Sequence, residues 1–144
     1  MAARVLIIDD DETLCDEVSE SLVDEGYDVS VSYDGLEGHE LASNDEFDVL
    51  LLDLRLPGLD GLEILKRLKE NGTRLHVIVV TGEMDPSQIF AVRNRKAVGT
   101  HGSLETLRLA DAVLSKPIDM PALLSLIKDA TAKKKNLGSK SVQN

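Results

Sequence analysis

The chain has 144 residues, 42% of them hydrophobic, which suits one domain with a buried core. Its net charge of −10 is unevenly placed: residues 1–53 hold seventeen Asp and Glu against Arg4 alone, and the remainder holds fifteen basic and nine acidic residues. An acidic front half repels a phosphate backbone, no apolar run approaches the ~20 residues of a membrane span, and Cys15 has no second cysteine to pair with, which argues against direct nucleic-acid contact, a membrane span and a disulfide scaffold.

The first apolar run, residues 5–8, follows an N-terminus without a signal-peptide pattern. It reads as a buried strand ending at Asp9-Asp10-Asp11. Leu14, Val18 and Leu22 then recur at helical spacing, with Asp11 as N-cap and Gly26 as the stop. Residues 28–33 alternate, with Val29, Val31 and Tyr33 apolar against Ser30 and Ser32, which predicts an edge strand with one wet face. A short helix over 36–43 precedes a second continuous apolar run, 49–52, ending at Asp53. Asp60 can cap a helix over 61–71, with Glu63 as reciprocal partner and Leu62, Leu65 and Leu68 as its apolar face. Residues 77–80 form a third continuous run and end at Thr81. Asp85 caps a further helix, with Pro86 at its first position and Gln88 completing the box. Residues 112–114 make a short fifth strand, followed by Ser115-Lys116-Pro117. Met120, Leu123, Leu124 and Ile127 mark the last helix. The Lys-rich stretch from Lys133 is set apart as a basic, polar, disordered tail (133–144) behind a domain of residues 1–132.

Strand and helix alternate five times, which reads as an α/β fold: a doubly wound (βα)5 parallel sheet. Runs that are apolar throughout belong at the centre and the others at the edges, giving the flavodoxin-like order 2-1-3-4-5. In such sheets ligands bind at the carboxyl ends of the strands, where the order reverses. Asp9, Asp10 and Asp53 therefore converge on one cleft. Like charges that close raise one another's pKa, and a hard cation with few protein ligands, Mg²⁺, resolves the conflict. Thr81 and Lys116 face the same rim. Each alone is an ordinary strand-end residue or surface charge. Together with three carboxylates they fit phosphoryl transfer to a carboxylate, with Asp53 as nucleophile.

These residues carry a resemblance. Val5-Leu6-Ile7-Ile8-Asp9-Asp10-Asp11, the run from Asp48 through Asp53 and Leu56-Pro57-Gly58 to Asp60-Gly61, Val77-Ile78-Val79-Val80-Thr81-Gly82, and Ser115-Lys116-Pro117 together resemble the receiver domain of two-component response regulators, of the stand-alone, chemotaxis-regulator-like kind. The resemblance implies that Asp53 accepts phosphate from a sensor histidine kinase or a His-containing phosphotransfer protein. It implies Mg²⁺ on Asp9, Asp10, Asp53 and the backbone carbonyl of Arg55, with Thr81 and Lys116 on the phosphoryl oxygens. It also implies a cis Lys116–Pro117 bond, a cytoplasmic protein, and a switching face made by the helix after strand four, strand five and the last helix, which controls a downstream protein. Only 27 residues follow Pro117, so no DNA-binding or enzymatic output domain is expected within the chain.

The sequence departs from the family pattern in two places. Val113 stands where an aromatic residue is usual, three positions before the lysine. The stretch from Thr81 to Lys116 is long, with the excess near residues 97–106, whose Gly99-Thr100-His101-Gly102 is poor helix material. Arg55 and Glu83 lie two residues beyond Asp53 and Thr81, where a pair could shield an acyl phosphate from water. Two other readings are weaker. A haloacid-dehalogenase-like phosphohydrolase needs a second Asp where Arg55 stands. A nucleotide-binding flavodoxin-like domain needs a Gly-rich loop where Asp9, Asp10 and Asp11 stand. His39, His76 and His101 lack the spacing of a zinc site.

Overall fold

A computed structural model describes the backbone of residues 2–44, 46–82 and 102–143 and, within these, the side chains of all but 102–104 and 133–143. Five strands, β1 (Arg4–Ile8), β2 (Asp28–Ser32), β3 (Val49–Leu52), β4 (His76–Thr81) and β5 (Ala112–Ser115), form one sheet in the order β2-β1-β3-β4-β5. Every pairing is parallel. The described helices are α1 (Glu12–Asp24), α2 (Gly35–Asn44), α3 (Gly61–Glu70), α4 (Gly102–Leu107) and α5 (Met120–Gln143). The doubly wound sheet and its strand order are those expected from the sequence. The expected helix at Asp85, Pro86 and Gln88, together with Glu83, lies outside the described residues.

Side chains alternate across each central strand and feed two cores. Leu6, Ile8, Leu50, Leu52, Val77 and Val79 pack with Ile64, Leu65 and Leu68 of α3 on one face. Val5, Ile7, Val49, Leu51, Ile78 and Val80 pack with Val18 and Leu22 of α1 and Leu123 and Ile127 of α5 on the other. Burial on both faces is why these strands read as unbroken apolar runs.

Two local readings change. Ser32, expected on a wet face, is buried, because its hydroxyl donates to the Asp34 carbonyl at 3.0 Å in the turn before α2. Asp60 caps α3 as expected, accepting from the Leu62 N–H at 3.2 Å. Glu63, however, takes Arg67 one turn on at 3.3 Å, an i,i+4 pair within the helix. Residues 102–107 form α4, with Leu107 buried in the same core as Leu65 and Leu68; Gly99, Thr100 and His101 of the segment read as poor helix material lie outside the described residues. The last helix runs from Met120 to Gln143. Val113 packs in the core from the edge strand β5, as expected of a residue that replaces an aromatic there.

Candidate functional site

The carboxyl ends of β1, β3, β4 and β5 deliver the candidate residues to one rim. Asp9 follows β1 and Asp53 follows β3, and both are buried. Asp10 beside them is exposed. Carboxylate oxygens of Asp9, Asp10 and Asp53 all lie within 4.8 Å of one another. Thr81 ends β4 and is fully buried. Its carbonyl accepts from the Lys116 N–H at 2.9 Å, which ties the lysine's backbone to the neighbouring strand. The Lys116–Pro117 bond is cis. Gly82 leaves room here, because a Cβ on it would come no closer than 3.9 Å to the Lys116 side chain.

Lys116 leans on the buried acids. Its Nζ lies 3.1 Å from Asp9 Oδ2 and 3.7 Å from Asp53 Oδ2. Burial works to lower the Lys116 pKa, but the hydrogen bond and charge of Asp9 outweigh it and hold the ammonium above its ordinary value. Asp53 goes the other way from the usual carboxylate. Burial first, and then the Asp9 charge, push it up to about 6, against the opposing pull of Lys116 and a backbone hydrogen bond at Arg55.

Asp9 is held at three atoms. Its Oδ1 accepts from the Asp11 N–H at 2.9 Å, its Oδ2 meets Lys116, and its carbonyl accepts from the Cys15 thiol at 3.4 Å. Asp11 itself caps α1, accepting from the Leu14 N–H, as expected. Cys15 is fully buried, and burial beside Asp9 and Asp11 pushes its thiol up to about 12, so it stays protonated and packs as an inert core residue.

Three acids and one ammonium leave an excess of negative charge in a largely buried place. That oxygen-rich donor set fits a hard divalent cation. A cleft of about 570 Å³ opens beside the cluster, lined by Asp10, Leu54, Arg55, Pro57 and Asp60 among others.

The sequence profile described as "Response regulator receiver domain" matches residues 5–101. The chain belongs to this family. Among curated receiver-containing relatives, response regulator MprA of Mycobacterium ulcerans is 36% identical over 91 residues, 63% of this chain and 39% of that protein. Response regulator ArlR of Staphylococcus saprophyticus is 33% identical over 125 residues, 87% of this chain and 50% of that protein. The chain thus spans half or less of the length of these relatives. The crystal structure of a response regulator receiver domain protein from Methanospirillum hungatei superposes with a TM-score of 0.76 at 28% identity, covering 94% of this chain and 99% of that one.

Of the sequence-predicted residues, Asp9, Asp10, Asp53 and Lys116 meet through their side chains, Arg55 lines the cleft with Asp10, and Thr81 joins Lys116 through its backbone carbonyl. Sequence reasoning missed the closer pairing of Lys116 with Asp9, the Cys15 thiol on the Asp9 carbonyl, and two glycines beside the loop after Asp53. Gly61 is one. A Cβ there would run into the Asp53 carbonyl oxygen and come within 2.7 Å of Leu54 Cα. Among the described residues, no helix is long and apolar enough to cross a membrane.

Proposed function

We propose that this receiver domain of a two-component system takes phosphate onto Asp53 from a histidine kinase or His-phosphotransfer protein and, once phosphorylated, controls a protein partner. The observation that carries this reading is the buried Asp53 carboxylate, with oxygens of Asp9 and Asp10 within 4.8 Å and the Lys116 ammonium at 3.7 Å. Near neutral pH Asp53 is mostly ionised, and its oxygen attacks phosphorus. The P–N bond of the donor phosphohistidine breaks, and its electron pair leaves with the imidazole. Asp9, Asp10, Asp53 and the Arg55 carbonyl would hold Mg²⁺. When bound, the ion supplies positive charge against the phosphoryl oxygens. Lys116 and Thr81 supply an ammonium and a hydroxyl to the same oxygens. The new group adds a charge of about −1.5 to −2, which draws these two residues in and biases the β4 and β5 ends. We assign this activity to a unit of residues 1–132, with the Lys-rich segment 133–144 set apart by its composition.

Acetyl phosphate with Mg²⁺ tests the reading. Intact mass is expected to show one phosphate adduct on the wild type and none on Asp53→Asn. An adduct that persists in Asp53→Asn, or none on the wild type, refutes it. Arg55 lines the cleft mouth beside Asp10, where its guanidinium can keep water off the acyl phosphate. Arg55→Ala is expected to shorten the phosphorylated lifetime several-fold, followed by loss of the adduct after the donor is removed. An unchanged lifetime counts against the shielding role.

A further inference from the structure

We propose, resting on the metal-site reading above, that Gly35 is a positioning residue for the loop that holds Asp53 and the Arg55 carbonyl. Gly35 belongs to another part of the fold, as the first residue of α2. Its N–H donates to the Pro57 carbonyl at 2.9 Å. A Cβ on Gly35 would run into the Leu59 carbonyl oxygen and lie 2.8 Å from both the carbonyl carbon and the nitrogen of Leu59. All three are backbone atoms, so no rotamer change relieves the contact.

The turn before it is rigidly built. The buried Ser32 hydroxyl donates to the Asp34 carbonyl, and Asp34 Oδ1 accepts from the N–H groups of Leu36 at 2.7 Å and Glu37 at 3.1 Å. Gly58, at φ 85°, turns the loop so that it passes beside the Asp34 carboxylate, 3.1 Å from where a Cβ would stand. At its other end the loop is fixed by the Gly61 N–H, which donates to the Leu54 carbonyl at 3.0 Å. Residues 54–60 are therefore pressed between two close backbone approaches. One is internal to β3 and α3, and the other comes from Gly35. In the metal-site reading the Arg55 carbonyl is a ligand, and the course of this loop sets where it stands. A methyl group on Gly35 would push against the Leu59 backbone and displace the loop that carries that carbonyl. Outer partners of a metal site typically change affinity by about 10–100-fold when altered.

The test is Mn²⁺ affinity, read from the free-ion electron paramagnetic resonance signal, alongside thermal melting. Wild type is expected to bind, Asp10→Ala to lose binding, and Gly35→Ala to bind about tenfold more weakly. Leu68→Ala, a core deletion at the far end of α3, is the control: its melting temperature falls while its Mn²⁺ affinity holds. If Gly35→Ala does not fold, Asp34→Ala decides, since it unfastens the same turn without adding bulk. A weaker Mn²⁺ affinity in that variant supports the proposal, and wild-type affinity overturns it. Wild-type affinity in a folded Gly35→Ala, or an equal loss of affinity in Leu68→Ala, overturns it as well. A wild-type protein that fails to bind Mn²⁺ overturns the metal-site reading itself.

Discussion

Asp53→Asn, in the presence of a chelator, is expected to melt higher than the wild type at pH 7 even though it can take no phosphate. The sign follows from the raised pKa. Asp53 titrates near 6 in the fold and near 3.8 when unfolded, so between these values the folded state binds more protons. Stability therefore falls as pH rises through that window, and above about 6 the full cost of a buried carboxylate facing Asp9 is present. Two pKa units correspond to roughly 2–3 kcal/mol, and for a domain of this size that is on the order of 5 °C in melting temperature. Asparagine removes the charge and keeps the shape. Lys116 retains its nearer partner, Asp9, at 3.1 Å. The gain should shrink as pH falls from 6 to 4 and vanish below 4. A melting temperature below the wild type, or a gain independent of pH, would show that Asp53 is not strained by its neighbours. The nucleophile proposed for the chemistry is thus also a site of stored instability, which a cation or a phosphoryl group can relieve.

Lys116→Met should act in the opposite direction. It leaves Asp9 and Asp53, whose side chains are 4% and 8% exposed, without the ammonium that bridges them. Removing one partner of a buried ion pair costs about 3–5 kcal/mol, and Lys116, a quarter exposed, belongs at the low end of that range. Added Mg²⁺ should restore more stability to this variant than to the wild type, because the two carboxylates have lost the ammonium that stood against both. Melting in chelator and in millimolar Mg²⁺ checks both parts. An unchanged melting temperature, or a loss that Mg²⁺ leaves untouched, would mean that the lysine faces solvent rather than the acids.

The fold and the cluster were legible in the sequence for one physical reason. Strands buried on both faces have unbroken apolar text, so the first polar residue after each run marks the strand's carboxyl end. Asp9, Asp53 and Thr81 are those residues, and the strand order brings them to a common rim. What escaped depends on contacts between elements that are not consecutive. Whether Lys116 reaches Asp9 or Asp53 first is decided by a fraction of an ångström in side-chain placement, which no spacing encodes. The Gly35 contact joins the first residue of α2 to the loop after β3, whereas the helix expected from the sequence begins at residue 36. Ser32 follows strict alternation on paper, yet the turn beyond it uses its hydroxyl. Leu107 at the end of α4 is buried against α3, a contact that its local sequence does not announce.

The pairing of Lys116 with Asp9 also bears on when function appears during folding. β1 is the first strand synthesised and β5 the last, and β3 and β4 lie between them in the sheet. Contacts across such separations form late, after the loop-closure entropy of the intervening chain has been overcome. A nascent chain can pair β1 with β2 and then β3 and so place Asp9 beside Asp53, but it has no ammonium to offset them until Lys116 has emerged. Docking of β5 would then bring the ammonium to both acids at once, and a chain in which β5 has not docked would keep its carboxylates without it.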